Sequence, residues 1–165
     1  MALDATVGGA SSNSYGTLEE ADDHFEDRPE RLSWAALKMA QESWLIAATD
    51  VMETFTYQGR RAYTDQALSF PRSGLALDGI RLDADVIPVL VKRAQFVLAL
   101  WLSEQDVLRD AVEDLDAFER LRVDVIELVP RDPLTNKRIL PTDVQRSLSA
   151  FLASGGLLQF RIYRG

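Results

Sequence analysis

The sequence of 165 residues contains no cysteine and a single histidine, His24. The absence of cysteine excludes disulfide bonds and cysteine-ligated zinc sites in this chain, and it is compatible with a reducing compartment. His24 lies near the end of a short predicted helix, where no neighbouring motif supplies a nucleophile. We therefore interpret it as a surface residue rather than as a general base or a metal ligand.

Long apolar runs are also absent. The most apolar stretch, Val89 to Leu102, contains Lys92, Arg93 and Gln95 and is too short to span a bilayer. The N-terminal residues lack the basic segment and the apolar run of a secretory signal. We expect a protein that has no membrane partner.

Positive charge is scarce in this sequence. Lysine and arginine number 18 against 26 aspartates and glutamates, which gives a formal net charge of −8. Affinity for nucleic acid comes largely from neutralising phosphates, so this balance argues against a protein whose main task is to grip nucleic acid. A local basic patch is still compatible with it. An acidic surface suits a protein to which DNA should not adhere.

Motifs of known chemistry are missing as well. The sequence has no G-x-S-x-G turn, no phosphate-binding loop ending in Lys-Ser or Lys-Thr, and no G-x-G-x-x-G fingerprint. Asp78, Asp83 and Asp85 are close together, but their spacing does not fit an EF-hand loop. We interpret them as turn and helix-cap residues. The prediction is therefore no catalytic residue, no metal site, no cofactor and no enzymatic activity.

The sequence contains enough apolar residues to form one hydrophobic core. Its hydrophobic fraction is 47%, and its length is that of one ordinary domain. Periodicity predicts a mainly α fold, a small bundle of about four helices with a long connector loop, a β-strand or hairpin arm and an extended C-terminal strand. We predict a flexible N-terminal arm at residues 1–16 and a single domain at 17–165. Its extended parts are the connector loop at 57–82, the strand and loop arm at 119–141, and the C-terminal arm at 155–165.

The first two helices have recognisable beginnings. Thr17 and Glu20 have capping-box spacing, which predicts a helix from about Leu18 to Phe25. A second helix is predicted to follow an N-cap at Ser33 and to run to about Phe55.

Two more helices are predicted downstream. The third is capped by Asp83 or Asp85, has Pro88 in its first turn and continues past Leu102 toward residue 115. The fourth is capped by Thr142 or Asp143 and ends at Gly155 and Gly156. Its predicted buried stripe consists of Val144, Leu148, Phe151 and Leu152. Between the second and third helices, Asp78-Gly79 predicts a small hairpin.

The connector loop concentrates arginines and aromatic residues. They are Tyr57, Arg60, Arg61, Tyr63, Phe70 and Arg72. One interpretation is a single-strand-binding patch, in which aromatics stack on bases and arginines follow the phosphates. The other is a structural loop whose aromatics pack under the helices while its arginines meet carbonyls or acidic neighbours. The acidic balance of the chain favours the structural interpretation.

The C-terminal segment alternates apolar and polar residues after a Gly-Gly hinge, which is typical of a strand. It can pair with an exposed sheet edge of a partner. It can equally close onto a predicted strand of its own chain at Leu121–Val129. The sequence leaves both possibilities open.

The order of segments along the chain resembles a known family. The segments are NSYGTLEEADDHF, a tryptophan-rich helix, YQGRRAYTDQALSFPRSGL, DG, IPVLVKRAQFVLAL and GGLLQFRIYRG. In this order they are similar to the head–tail connector (adaptor) proteins of tailed bacteriophages, some of which carry the label DnaT-like single-stranded-DNA-binding protein. The resemblance covers residues 13–165. Its most specific part is Gln66–Gly74 together with Gly59 and Arg60, whereas residues 104–119 are longer than expected for the family.

The resemblance implies a structural virion protein that is assembled in the bacterial host cytoplasm. It would form a ring of about twelve copies at the head–tail junction. The ring would join the portal protein to a tail, stopper or nozzle protein, and DNA would pass through its acidic channel without adhering. The implied portal- or neighbour-binding residues are Leu158, Gln159, Phe160, Arg161, Ile162 and Tyr163.

The resemblance also suggests a role for the stiff part of the connector loop. We call Gly59, Arg60, Phe70, Pro71 and Arg72 the bracket. Phe70 would anchor the bracket in the bundle, Pro71 would limit its freedom, and Arg72 would make a charged contact within the subunit or across the ring. The alternative function is a single-stranded-DNA-binding module that uses the Tyr57–Arg72 patch.

Overall fold

The computed structural model describes residues 2–104 and 140–153. Its helices are α1 (Leu18–Glu26), α2 (Arg31–Ala36), a 3₁₀ helix (Lys38–Ala40), α3 (Gln41–Glu53), α4 (Val89–Ser103) and α5 (Thr142–Ser149). Its strands are β1 (Arg60–Arg61), β2 (Arg72–Ser73), β3 (Ala76–Leu77) and β4 (Ile80–Arg81). The fold is mainly helical, a small bundle with a β-hairpin arm, as the sequence predicts.

Helix α1 begins at the predicted capping box. The Thr17 hydroxyl accepts a hydrogen bond from the Glu20 backbone nitrogen at 3.1 Å, and the Glu20 carboxylate accepts one from the Thr17 nitrogen at 3.0 Å. Two of the backbone donors at the helix start are thereby satisfied. Ala21 and Phe25 are buried against the rest of the bundle.

The predicted long second helix is wrong, because the chain breaks it at Lys38. Lys38 has φ of 48°, in the left-handed region that a right-handed helix cannot include. The segment is therefore divided into α2, the 3₁₀ helix and α3, and Ser33 lies inside α2 instead of capping it. The break lets Trp34 stack on Phe25, with ring centroids 5.0 Å apart.

Helix α4 is the centre of the bundle and packs against α3 on one side and α5 on the other. Most of its residues are buried. One of them is polar. The Gln95 side-chain amide is fully buried and lies within 3.0 Å of the Gly16 nitrogen, the Ser14 and Thr49 hydroxyls and the Leu45 carbonyl. It joins the N-terminal segment, α3 and α4 at one point.

Proline, not aspartate or threonine, precedes the last two helices. Pro88 and Pro141 occupy the N-cap positions of α4 and α5, with ψ of 138° in each. The predicted caps at Asp83 or Asp85 are wrong, because both residues are exposed and precede the N-cap residue, Pro88. Pro141 makes Thr142 the first helical residue instead of the predicted cap.

The buried stripe predicted for the fourth helix is confirmed. Val144, Leu148, Phe151 and Leu152 are all buried. The predicted hairpin is also confirmed. Asp78 and Gly79, with φ of 51° and 80°, connect antiparallel β3 and β4. Two positive φ values at the centre of a two-residue loop are typical of the turn that matches strand twist.

Residues 2–16, predicted as a flexible arm, fold back onto the bundle. Asp4 and Asn13 close the segment into a loop, since the Asn13 side chain accepts from the Asp4 nitrogen at 2.7 Å and the Asn13 nitrogen donates to the Asp4 carbonyl at 2.9 Å. Tyr15 is 0% exposed. Small polar residues that suggest flexibility here make local hydrogen bonds instead.

Several predictions lie outside the described residues. They concern the helix continuation after residue 104, the strand and loop arm apart from its last residues, the helix end at Gly155 and Gly156, and the C-terminal arm with its portal-binding residues Leu158–Tyr163. Within the described ranges, no helix has the length and apolar character needed to cross a membrane.

Candidate nucleic-acid interface

The connector loop leaves α3 and returns on itself as a short antiparallel ladder. Arg60 pairs with Ser73 and Arg61 with Arg72. At its base, the Gln58 nitrogen donates to the Phe151 carbonyl at 2.8 Å, which attaches the loop to the chain after α5. A ladder of two residues per strand needs such supports, because isolated pairs of this length are unstable.

Phe70 anchors the loop in the core. The side chain is 1% exposed and makes edge contacts with Tyr15, Tyr57 and Phe151, at centroid distances of 5.8, 4.8 and 6.0 Å. Tyr57 is itself only 5% exposed, and its hydroxyl donates to the Met52 carbonyl at 2.8 Å. Neither ring is available to stack on a base. The anchoring that the sequence suggests for Phe70 therefore agrees with its burial.

Arg72 is used inside the subunit. Its guanidinium donates to the carbonyls of Gln58 at 2.6 Å, Gly59 at 2.9 Å, Ser69 at 3.1 Å and Tyr57 at 3.2 Å. Partial burial, with the nearby charge of Arg61, lowers the pKa of Arg72 from its ordinary value. Arginine stays protonated despite such shifts, so its charge stabilises four carbonyls of the loop.

A second support comes from Glu53, in the last turn of α3. Its carboxylate accepts hydrogen bonds from the Ser69 nitrogen and hydroxyl and from the Tyr15 hydroxyl. Burial and the charge of Glu53 raise the pKa of Tyr15 well above its ordinary value, so Tyr15 remains a donor. Sequence reasoning missed this carboxylate, because nothing in the local pattern shows that it meets a residue 16 positions away.

The remaining residues of the patch are exposed. Arg60 lies on the open surface, and the Arg61 side chain is 48% exposed, with a guanidinium nitrogen 4.0 Å from the Glu53 carboxylate. Tyr63 is 44% exposed. Its backbone nitrogen donates at 2.9 Å to the side chain of buried Gln66, which in turn donates to the Pro71 carbonyl at 3.1 Å. The patch thus divides into a buried structural half and an exposed half.

Within the described ranges, no group of side chains forms a metal site, and His24 does not reach this loop as a general base. No group of three or more His, Asp or Glu side chains there could hold an ion. His24 lies away from the loop, in the last turn of α1, with its ring 5.5 Å from that of Phe96. Its Nε2 atom is buried without a hydrogen-bond partner. Burial, with the nearby charges of Arg28 and Arg93, lowers its pKa to about 4.

A family model described as "Putative DnaT-like ssDNA binding protein" matches residues 1–165. Neither curated proteins nor solved structures yield a match.

Proposed function

The chain belongs to the family of DnaT-like ssDNA binding proteins, and from this premise we propose that it contacts single-stranded DNA through Arg60, Arg61 and Tyr63. We call these three residues the arginine edge. The observation that carries the proposal is their exposure beside one another on a supported loop.

The geometry of the arginine edge suits a single strand. Consecutive side chains of a strand point to opposite faces, so Arg60 and Arg61 place positive charge on both sides of the β1–β2 ladder. Arg60 is the freer of the two, because Arg61 also donates to the Gln66 carbonyl at 3.2 Å. Tyr63 offers an aromatic surface to a base of the same strand. A single strand is flexible enough to pass all three groups, and its bases are free to stack.

The net charge limits how tightly such a strand can bind. At −8, the protein as a whole repels DNA. Two exposed arginines neutralise about two phosphates, so we expect weak binding that is lost as salt is added. A protein of this kind holds DNA transiently.

The test is binding to a labelled single-stranded oligonucleotide of 20 thymidines, measured by fluorescence anisotropy at low and moderate salt. Arg60→Ala should weaken binding, because Arg60 is exposed and no hydrogen bond of its side chain supports the loop. Arg81→Ala, an exposed arginine of the other ladder, is the matched control. Wild-type protein that does not bind the oligonucleotide at low salt would disprove the proposal.

A second candidate function is the phage head–tail adaptor, a virion protein that forms a ring of about twelve copies between portal and tail. The observation that favours it is exposed apolar surface. Leu32 is 82% exposed, Met39 97% and Ile80 70%. Where such side chains adjoin one another, they mark a surface that a partner covers.

In the adaptor hypothesis, DNA would only pass through an acidic channel. Twelve copies at −8 each would give the ring a formal charge of roughly −96. Light scattering and negative-stain imaging of the protein, alone and with a portal protein, test this hypothesis. Leu32→Asp with Met39→Asp should prevent assembly if these side chains are covered in the ring. Normal rings from that variant would contradict their role.

A further inference from the structure

Tyr63 is held from outside the connector loop, by the N-terminal loop. A Cβ atom added at Gly8 would lie 2.4 Å from Cδ2 and 2.5 Å from Cε2 of the Tyr63 ring, but 3.6 Å from Cγ. These three distances place Gly8 against the Cδ2–Cε2 edge of the ring. No residue with a side chain fits there without moving the ring. Contact through the edge takes up neither face of the aromatic ring.

The N-terminal loop is itself well supported. Within it, the Gly9 nitrogen donates to the Thr6 carbonyl at 3.1 Å, and the Ser12 hydroxyl donates to the same carbonyl. The Ala67 nitrogen of the connector donates to the Gly9 carbonyl at 3.0 Å. The loop is thus closed locally and attached directly to the connector. Gly8, with φ of 68°, is in a conformation that favours glycine.

We propose that the N-terminal loop positions Tyr63 as a base-stacking platform, so that Gly8 controls how strongly the arginine edge binds a nucleobase. This inference rests on the proposed contact with single-stranded DNA. A tyrosine on an exposed loop loses rotamer freedom when it stacks on a base, and this loss weakens binding. The contact with Gly8 already restricts the Tyr63 ring in the free protein, so less conformational entropy is lost on binding. The two arginines then bind phosphate, while Tyr63 distinguishes strands that carry bases from strands that do not.

The test compares two oligonucleotides of equal length, one of 20 thymidines and one with the same backbone but abasic. Wild-type protein should bind the thymidine strand about five- to 150-fold more tightly, the range expected for one stacked base. Tyr63→Ala should bind both strands with the weaker affinity, and Tyr63→Phe should keep the preference.

Gly8→Ala tests the contact between Gly8 and the Tyr63 ring, and Gly79→Ala is its matched control. Gly79 has φ of 80°, similar to that of Gly8, but an added Cβ there meets nothing within 4 Å. Both variants therefore impose the same backbone strain, and only Gly8→Ala displaces Tyr63. Gly8→Ala should lose the preference for the thymidine strand while Gly79→Ala keeps it, with circular dichroism showing that both are folded.

The outcomes separate this inference from the proposed function. Wild-type protein that binds neither strand overturns both. If the wild-type protein binds both strands equally, Tyr63 does not stack on a base, whereas the proposed phosphate contact is retained. Equal preference in wild type and Gly8→Ala overturns the role of the N-terminal loop.

Discussion

The carboxylate of Glu53 accepts two hydrogen bonds from Ser69, one from its backbone nitrogen at 3.0 Å and one from its hydroxyl at 2.9 Å. Through this pair, the last turn of α3 holds the residue that precedes Phe70. The position of the aromatic anchor therefore depends on a charged side chain from another element. The connector loop is stiff because its backbone donors and acceptors have partners both within the loop, as with Arg72, and outside it, as with Glu53.

We predict that Glu53→Ala lowers the free energy of unfolding by about 1–3 kcal/mol, because the buried Ser69 nitrogen loses its acceptor. Urea denaturation followed by circular dichroism measures the change. Glu26→Ala, an exposed carboxylate at the end of α1, is the control and should change stability by less than about 0.5 kcal/mol. Equal stability of the two variants would contradict the role of Glu53.

We predict that Arg72→Lys is also destabilising, by about 1–3 kcal/mol. A lysine ammonium is a compact charge and cannot reach the four carbonyls that the planar guanidinium reaches. Arg72→Glu should be worse, because it places a negative charge among carbonyl oxygens and near Glu53. Thermal unfolding measures the stabilities of the wild type, Arg72→Lys and Arg72→Glu, which should decrease in that order. An unchanged melting temperature in Arg72→Lys would show that the carbonyl contacts contribute little to stability.

We predict that Gln95→Leu lowers the free energy of unfolding by about 1–3 kcal/mol, although leucine is apolar and similar in size. The buried nitrogen of Gly16 would lose its acceptor. Leu98→Ala on the same helix is a useful comparison, since it creates a cavity without removing a polar partner. Hydrogen exchange should show faster exchange at Gly16 in Gln95→Leu but not in Leu98→Ala.

Stability should fall as the pH decreases below about 6.5, partly through His24. Its folded pKa of about 4 lies below the ordinary 6.5, so the unfolded chain binds this proton first. The stabilisation is fully present above pH 6.5 and is lost progressively toward pH 4. Because the ring is partly open to solvent, we expect an effect of only about 1 kcal/mol. Glu30 partly opposes the shift.

The contribution of His24 is separated from that of the carboxylates by His24→Phe. This variant keeps the aromatic contacts with Phe25 and Phe96 but cannot bind a proton. Urea denaturation at several pH values should show a shallower loss of stability in the variant between pH 6.5 and pH 4. Identical pH profiles would mean that protonation of His24 does not lower the stability of the folded protein.

The affinity for single-stranded DNA should fall with salt concentration, and the slope of log K against log salt is proportional to the number of phosphate contacts. Two exposed arginines predict a slope of log K against log salt of about −1.4, since each phosphate contact on a single strand contributes about −0.7. Arg60→Ala should reduce the slope by about 0.7. A slope that does not change would place the phosphate contacts on residues other than Arg60.

Several features were predictable because their causes are local. Thr17 and Glu20 are three residues apart, and this spacing alone specifies the cap of α1. Asp78-Gly79 specifies its turn through two positive φ values that these residues tolerate. The buried stripe of α5 follows from periodicity. In each case the residues that set the pattern lie within a single short segment of the chain.

Other features depend on residues far apart in the sequence. The break at Lys38 places Trp34 on Phe25 and lets its indole nitrogen donate to Asp22 at 2.7 Å, contacts that no local pattern reveals. The interpretation of the connector loop depended on the same kind of information. Its arginines and aromatics look alike in sequence, yet Arg72 and Phe70 support the fold while Arg60 and Tyr63 are exposed.

The amino-acid sequence by itself determined the class of fold, the start of α1, the hairpin and the buried face of α5, because these follow from short-range hydrogen bonding and from helical or strand periodicity. Only the tertiary structure decided which arginine and which aromatic ring of the connector are available to a ligand. The physical reason is that availability is set by burial and by hydrogen-bond partners from other elements, and these exist only once α3, the N-terminal loop and the chain after α5 have come together.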